Sequence, residues 1–332
     1  MKKQIIASLR SLSGAVLFVS LVMNSCKPVQ NFKQTPAAYS GNTSFQHEVP
    51  GYNPSKKSVF IIADNRQTEI FDMLAPFYLF NATARANVYI LAKDKSPVLV
   101  KKDLYVIPQL SFEEVDSLHI SADVIVIPAL SIRDEHQDTV LISWIKKHFG
   151  SDTKMLAVCD GSATAAATGL YDGKPLTTHA SDYEAVKAHF PKPQWVQGVS
   201  VTQSGNLFST AGVSNAVEGS LTVINELFGP GIMQNVAGNI HYPHAEIQTA
   251  HESIAINGGT KYTIAKKIIF RKNKKIGILL ENGINEFEMA SIIDTYSRTF
   301  PASFKTYILH DDSVRTKYGL TLLSVADDKF NA

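Results

Sequence analysis

Residues 154–170 read KMLAVCDGSATAAATGL, an apolar run that stops at Cys159 and continues from Gly161 as a helix of small residues. A buried strand that turns directly into a helix presents the residue at the turn beyond the sheet edge, where helix N–H groups favour a thiolate. The pattern is that of a nucleophile elbow, in which the next residue's N–H also helps to hold an oxyanion. A structural thiol is the alternative, since free cysteines are often buried.

Similar apolar runs alternate with helical patterns on both sides of this elbow. The predicted segments are strands at 58–64, 87–92 and 123–128, helices at 68–84, 134–149 and 214–228, and hairpins after residue 92 and around 204–206. Continuous β-branched runs separated by amphipathic helices are typical of a doubly wound α/β fold, a mostly parallel sheet with helices on both faces. Ligands bind such sheets beyond the carboxyl ends of the strands, where Cys159 is expected.

The opening of this pattern is repeated near the C-terminus. KKIGILLENGINEFEMAS from residue 274 echoes KKSVFIIADNRQTEIFDMLA from residue 56. The copy predicts an incomplete second strand-helix-strand repeat at 274–332, after a connector at 241–273 with one or two strands. It stops before any elbow and cannot build the same site unaided. A truncated domain, an incomplete reading of the gene, an accessory layer and chance resemblance are the alternatives.

The first 55 residues predict export. Three basic residues precede an apolar stretch over 15–23, which is typical of a signal peptide at 1–25 and short for a transmembrane helix. Cys26 follows a small residue and resembles the lipobox of bacterial lipoproteins, which implies a lipid anchor on the periplasmic side of the cell envelope. Ordinary signal cleavage and an uncleaved anchor are alternatives. The polar, proline-containing composition of 26–55 predicts a flexible tether.

Charge and cysteine content narrow the function classes. The net charge is +2, and the leader holds three basic residues and no acidic one, so the rest of the chain is close to neutral. It lacks the basic footprint of a nucleic-acid-binding protein, and no nucleic-acid partner is expected. One of the two cysteines, Cys26, belongs to the leader, so a disulfide with Cys159 is not expected. An exported protein that keeps one unpaired thiol either buries it or uses it.

Four other residues are candidates for chemistry near the elbow. Glu69 and Asp72 are three apart in the first predicted helix and share one face. A carboxyl group beside a cysteine can exchange its proton and act as acid or base. Asp72, among apolar neighbours, is the better candidate, whereas Glu69 is more ordinarily a helix-dipole partner. His179 lies on a loop, where most histidines are solvated, and Ser214 either caps the following helix or closes the site from beneath.

The ordered combination of these segments over residues 56–240 resembles the ThiJ/PfpI superfamily, the class I glutamine-amidotransferase-like group with a flavodoxin-like fold. This group includes the Parkinson-disease-associated deglycase, glyoxalase-type lyases, isonitrile hydratases and PfpI proteases. The segments DMLAPFYLF and ATGLYDGKPLTTH are most similar to the amidase-like domains of isonitrile hydratases and AraC-type regulators. The resemblance implies that Cys159 is the nucleophile, Asp72 the acid four residues before Pro76, and His179 the histidine of the T-T-H segment.

Two departures from the family pattern bear on activity. Ala129 and Leu130 stand where the family usually has Gly-Gly, whose backbone forms part of an anion pocket, so Leu130 is expected to narrow that pocket. Asp160 stands where the proteases carry His and the hydratases commonly Thr, which argues against proteolysis. A carboxylate there should raise the thiol pKa. The N–H groups of Asp160 and Gly161, with Ala129 or Leu130, are the expected oxyanion donors.

The leading hypothesis is an envelope-anchored enzyme whose cysteine attacks a small electrophile, with hydratase, glyoxalase-like lyase or amide hydrolase chemistry. No metal and no other cofactor is expected. The competing hypothesis is a ligand-binding or redox-sensing module with the same fold, and a scaffold without chemistry is a third. The expected partners are a small molecule and, through the lipid, the membrane; the resemblance also implies a homodimer.

Overall fold

The computed structural model describes residues 39, 51–130, 139–244, 251–254, 256–270, 274–309 and 313–325. The predicted signal peptide and the lipidation residue Cys26 lie outside these ranges. So do residues 134–138 of the predicted second helix. Within the described ranges, no helix combines the length and apolar character needed to cross a bilayer.

The described chain alternates strands and helices largely as the sequence predicts. The strands are β1 (Lys57–Ile62), β2 (Ala86–Ala92), β3 (Val98–Lys101), β4 (Leu104–Val106), β5 (Leu110–Ser111), β6 (Val124–Ile127), β7 (Lys154–Val158), β8 (Pro175–Leu176), β9 (Gln194–Trp195), β10 (Val201–Ser204), β11 (Leu207–Thr210), β12 (Lys275–Leu280), β13 (Ser303–Ile308), β14 (Val314–Arg315) and β15 (Thr321–Ser324). The helices are α1 (Ile70–Ala82), α2 (Phe112–Leu118), α3 (Thr139–His148), α4 (Gly161–Ala167), α5 (Tyr183–His189), α6 (Asn215–Phe228), α7 (Pro230–Asn239), α8 (Gly258–Phe270) and α9 (Glu286–Ser297).

A seven-stranded sheet forms the centre of the molecule, in the order β10-β11-β7-β6-β1-β2-β5. Its neighbours are parallel except for the β10–β11 hairpin. Side chains alternate between its two faces, so Ile61 joins a core cluster with α1 and α6 while Phe60 joins a second cluster with α2 and α3. Helices therefore cover both faces, and the predicted doubly wound, mostly parallel α/β fold is confirmed.

Helix α1 is apolar on all sides and lies in the interior. Every residue from Ile70 to Phe80 is buried, because α1 contacts β1 and β2 on one side and α6 and α9 on others. A helix that is apolar all round is stable only when buried in this way. The first residues of α1, which carry the predicted acids, are thereby fixed beside the carboxyl end of the central strand.

The connector prediction was wrong in one respect, because its described part contains the helix α8 rather than strands. The run TIAKKIIF within it is short, and apolar periodicity does not distinguish a strand from a helix over such a length. None of the residues of α8 is buried, so the helix is not part of the core.

The C-terminal segment repeats the opening unit and packs on it. Strands β12 and β13 pair in parallel with Lys275 opposite Ser303, as Lys57 lies opposite Ala86 in β1 and β2. Helix α9 packs on α1, and β15 pairs with β4 in a separate sheet of order β14-β15-β4-β3. Residues 274–309 and 313–325 thus form a layer that packs on the opening unit.

Candidate active site

The elbow after β7 has the backbone geometry that the sequence predicts. Cys159 has φ of 55°, in the left-handed region that is uncommon for a residue with a side chain. Its N–H donates to the Thr210 carbonyl at 3.2 Å, and α4 begins two residues later at Gly161. Cys159 is only 4% exposed. Strain of this kind persists only where the surroundings fix the conformation, as they do between β7 and β11.

Gly161 is required by the close approach of α4 to the end of β6. A Cβ atom at this position would lie 2.0 Å from the Ile127 carbonyl oxygen and 2.6 Å from that of Pro128. Both obstacles are backbone atoms, so no side-chain rotation relieves the clash. The glycine therefore allows the first turn of α4 to form directly beside the cysteine.

Two carboxyl groups from the start of α1 lie at the elbow. Asp72 is fully buried, and its Oδ2 accepts the Ala129 N–H at 3.2 Å while its Oδ1 has no hydrogen-bond partner. Glu69 is the N-cap of α1, with its Oε2 accepting the Asp72 N–H at 2.7 Å. The Ala129 N–H that was expected to hold an oxyanion is thus engaged by Asp72, and its geometry supports a role in orienting that carboxyl group.

The surroundings of the elbow favour protonated groups. Burial, followed by the charge of Glu69, raises the pKa of Asp72 well above its usual range. Burial and then Asp294 raise the pKa of Glu69 to about 7. Burial, then Asp72 and Asp160, raise the pKa of Cys159, against which the Asp160 N–H acts in the opposite direction. Desolvation and neighbouring carboxylates thus act against the thiolate that the helix N–H groups favour.

Asp160 is held in place by a residue that the sequence reasoning missed. The Thr178 hydroxyl lies 2.9 Å from Asp160 Oδ1 and 3.4 Å from the Cys159 carbonyl oxygen. Burial and then Asp182 raise the pKa of Asp160 to about 6, so its carboxyl group is largely ionised at neutral pH. Thr178 belongs to the T-T-H segment, and that segment was the available signal for it.

A cavity of about 460 Å³ adjoins the elbow. Its walls come from α1, the loops after β8 and β11, the part of the connector before α8, and α9. Among the lining residues are Phe71, His179, Asn215, Asp294 and Arg298. The first of these, Phe71, precedes Asp72. Cys159 and Asp72 are not among the lining residues.

The remaining candidates differ in whether they line this cavity. His179 lines the cavity, and its Nδ1 accepts the Ser181 N–H at 3.3 Å. Ser214 also lines the cavity and occupies the N-cap position of α6, but its side chain makes no capping hydrogen bond. Leu130 packs against the core cluster that holds Phe60 and Trp144, and it is not among the residues that line this cavity.

Arg298, just after α9, is a second residue that the sequence reasoning missed. Its Nη2 lies 3.7 Å from Glu69 Oε1, and its Nε donates to Asp294 Oδ2 at 2.7 Å. Nothing in the local sequence marks it, because its position depends on how α9 docks on α1. Among the described residues, no three His, Cys, Asp or Glu side chains are arranged to hold a metal ion.

The fold and the elbow together define a class: flavodoxin-like α/β proteins with a cysteine at a strand-to-helix turn and acids from the first helix beside it. The model of the DJ-1/PfpI family matches residues 56–226. The chain belongs to the DJ-1/PfpI family.

Relatives of known function and structure agree with this assignment. The isonitrile hydratase of Pseudomonas putida is 26% identical over 180 residues, covering 54% of this chain and 76% of that protein. The Parkinson disease protein 7 homolog of Danio rerio is 24% identical over 146 residues, covering 43% of this chain and 75% of that protein. A THiJ/PfpI family protein from Pseudomonas syringae shares the fold, with a TM-score of 0.52, 20% identity and coverage of 68% of this chain and 95% of that one.

Proposed function

We propose that this protein is a cysteine-dependent enzyme acting on a small electrophilic carbon, and that hydration of an isonitrile to a formamide is its reaction. The observation that carries the proposal is the strained left-handed backbone of Cys159 beside the buried, partnerless Oδ1 of Asp72. A residue held in such a conformation at a sheet edge is typical of functional sites. The similarity to isonitrile hydratase supports this choice among the family's chemistries.

The shape of the site favours a slender electrophile. Cys159 is only 4% exposed and does not line the 460 Å³ cavity, so a substrate held there would have to extend a narrow end toward the sulfur. The terminal carbon of an isonitrile is such an end, whereas an amide carbonyl carries substituents on both sides. The apolar ring of Phe71 and the polar groups of His179 and Asn215 line the space that would hold the remainder of the molecule.

Asp72 is well suited to carry the proton in this reaction. The sulfur forms a bond to the isonitrile carbon while the thiol proton moves through the Asp72 carboxyl group to that carbon, giving a thioimidate. Water then adds to the same carbon, its protons pass to the nitrogen and back to sulfur, and the carbon–sulfur bond breaks to release the formamide. The thiol proton ends on the formamide carbon and a proton of water replaces it on sulfur, so the thiol is restored at the end of each cycle.

The redox-sensing alternative fits the site less well. A sulfur that signals oxidation needs thiolate character and exposure. Here burial and neighbouring carboxylates raise the pKa of Cys159, and only 4% of the residue is exposed. A ligand-binding module without turnover is the alternative that the experiment below separates.

Turnover by the full chain tests the proposal. Cyclohexyl isonitrile is supplied, with methylglyoxal as a second substrate, and the formamide or lactate is quantified by mass spectrometry. We expect formamide from the wild type, and losses of at least a hundredfold in Cys159→Ser and Asp72→Asn, in line with the loss of a nucleophile or proton carrier. Asp172→Asn, an exposed aspartate paired with Lys192, is the matched control. Equal turnover by the wild type and Cys159→Ser would exclude the mechanism, and binding without turnover would favour the non-catalytic module.

We also propose that the protein is anchored in the cell envelope through a lipid on Cys26. The support is the sequence pattern of a basic and then apolar leader ending at this cysteine. Cells fed an alkynyl fatty acid should label the wild type and not Cys26→Ser, and the variant should leave the membrane fraction. Label retained by the variant would contradict the anchor.

A further inference from the structure

The accessory layer reaches the buried acids of the elbow through a chain of charges. The Arg298 guanidinium lies 3.7 Å from Glu69 Oε1 and 2.7 Å from Asp294 Oδ2, and Lys101 Nζ lies 3.4 Å from the other oxygen of Asp294. We infer that the C-terminal segment is part of the active site: α9 forms one wall of the substrate cavity, and Arg298 is a positioning residue that acts on Cys159 and Glu69 through its charge. The family match ends at residue 226, so this part of the site lies outside it.

One face of α9 is built for a cavity rather than for a core. Ser291, Asp294, Thr295 and Arg298 are spaced i, i+3, i+4 and i+7, which places them in one stripe along the helix and its C-cap, and all four line the cavity. The buried residues Met289, Ala290 and Ile293 belong to the core cluster that also contains the residues of α1. Four hydrogen-bonding side chains thus face the same space as His179 and Asn215 of the family domain.

The positive charge of Arg298 opposes the burial and the neighbouring carboxylates that raise the pKa values of Glu69 and Cys159. Burial disfavours this charge, but Asp294, Glu69 and Cys159 outweigh burial and raise the pKa of Arg298. By the same interactions, Lys101 and Arg298 lower the pKa of Glu69 against burial and Asp294. Arg298 is half exposed, so solvent weakens the interaction, and its removal should raise the proton affinity of the sulfur.

Alkylation of Cys159 tests this inference without any need for turnover. The inference rests on the proposed function, but the measured quantity does not depend on turnover. It is the rate at which iodoacetamide modifies Cys159 in the full chain, followed by mass spectrometry across a range of pH. In Arg298→Gln the pH profile should move upward, and the rate near neutrality should fall about tenfold. Arg298→Lys should restore most of the rate. Arg85→Gln, an exposed arginine before β2, should match the wild type.

A bulky substitution on α9 tests whether this helix forms a wall of the cavity. Thr295→Trp places a large ring in the cavity without changing a charge, so it should slow alkylation at every pH and leave the midpoint of the profile in place. A profile of Arg298→Gln that coincides with the wild type would overturn the positioning role, and an unchanged rate in Thr295→Trp would overturn the wall. If the isonitrile is not hydrated but both variants behave as described, the proposed function fails and this inference stands.

Discussion

Phe71 and Phe287 are the second residues of α1 and α9, and their rings meet with centroids 5.5 Å apart. Each follows an N-cap, Glu69 or Asn285, so the contact joins equivalent positions of the two repeats. Strands β4 and β15 also pair through equivalent positions of the two repeats, because Val106 lies directly opposite Leu322. Contacts between equivalent residues are the signature of two-fold packing, here within one chain. The repeat is therefore a structural partner of the opening unit.

This contact should contribute measurably to stability. Phe287 is half-buried and also meets the Tyr78 ring at 5.7 Å, so truncation removes two aromatic contacts. We expect Phe287→Ala to lower the free energy of unfolding by about 2 kcal/mol, less than for a fully buried phenylalanine. Tyr296→Ala, on the exposed side of the same helix, should change it by less than about 0.5 kcal/mol. Urea unfolding measures both, and equal losses would show that the contact is not stabilising.

The elbow should not tolerate a side chain at Gly161. A Cβ atom at this position would lie 2.0 Å from a backbone oxygen. Gly161→Ala must therefore displace α4 or β6, which should lower the free energy of unfolding by about 3 kcal/mol or more. Gly238→Ala is the control, because that glycine lies in α7 with no atom within 4 Å of its added Cβ. There alanine should be neutral or stabilising by up to about 1 kcal/mol. Thermal unfolding of the two variants, monitored by circular dichroism, distinguishes these outcomes.

The sequence predicted the sheet, the elbow and the repeat because each depends on local patterns. Apolar runs mark the strands around Cys159, and similar strings mark the two copies of the repeat. The features that the sequence could not predict depend on how distant segments of the chain pack together. Arg298 reaches Glu69 only because two segments more than two hundred residues apart pack together, and no spacing encodes that contact. The raised pKa of Cys159 likewise follows from burial on several sides, whereas the sequence displays only the neighbouring Asp160 and the helix N-terminus.

Glu69 should make the stability of the protein depend on pH. Its pKa rises from 4.5 to about 7 on folding, so the folded state binds the proton more tightly. The stabilisation is then complete below pH 4.5 and is lost as the pH rises through about 7. Glu69→Gln keeps an acceptor for the Asp72 N–H and removes the charge. At mildly alkaline pH we expect this variant to be more stable than the wild type by on the order of 1 kcal/mol, with the gap closing in acid.

Denaturant titrations at a series of pH values measure this gap. Glu114→Gln is a useful comparison, because Glu114 is a surface carboxylate whose pKa is lowered through Lys95 and Ser111 despite partial burial. The contribution of Glu114 to stability has the opposite pH dependence and should be lost as the pH falls. A gap between Glu69→Gln and the wild type that does not change with pH would show that Glu69 titrates alike in the folded and unfolded states.

Asp160 should restrain the reactivity of the cysteine. Its carboxyl group, with a pKa of about 6, is largely ionised above that pH and raises the pKa of the neighbouring thiol. Asp160→Asn retains an oxygen acceptor for the Thr178 hydroxyl and removes the charge. The thiol pKa should fall, and alkylation by iodoacetamide at mildly alkaline pH should accelerate by roughly three- to tenfold. Asp172→Asn, on the surface beside Lys192, should react like the wild type. If Asp160→Asn is no faster than this control, the charge of Asp160 does not set the reactivity of Cys159, and the departure at position 160 is neutral for the chemistry.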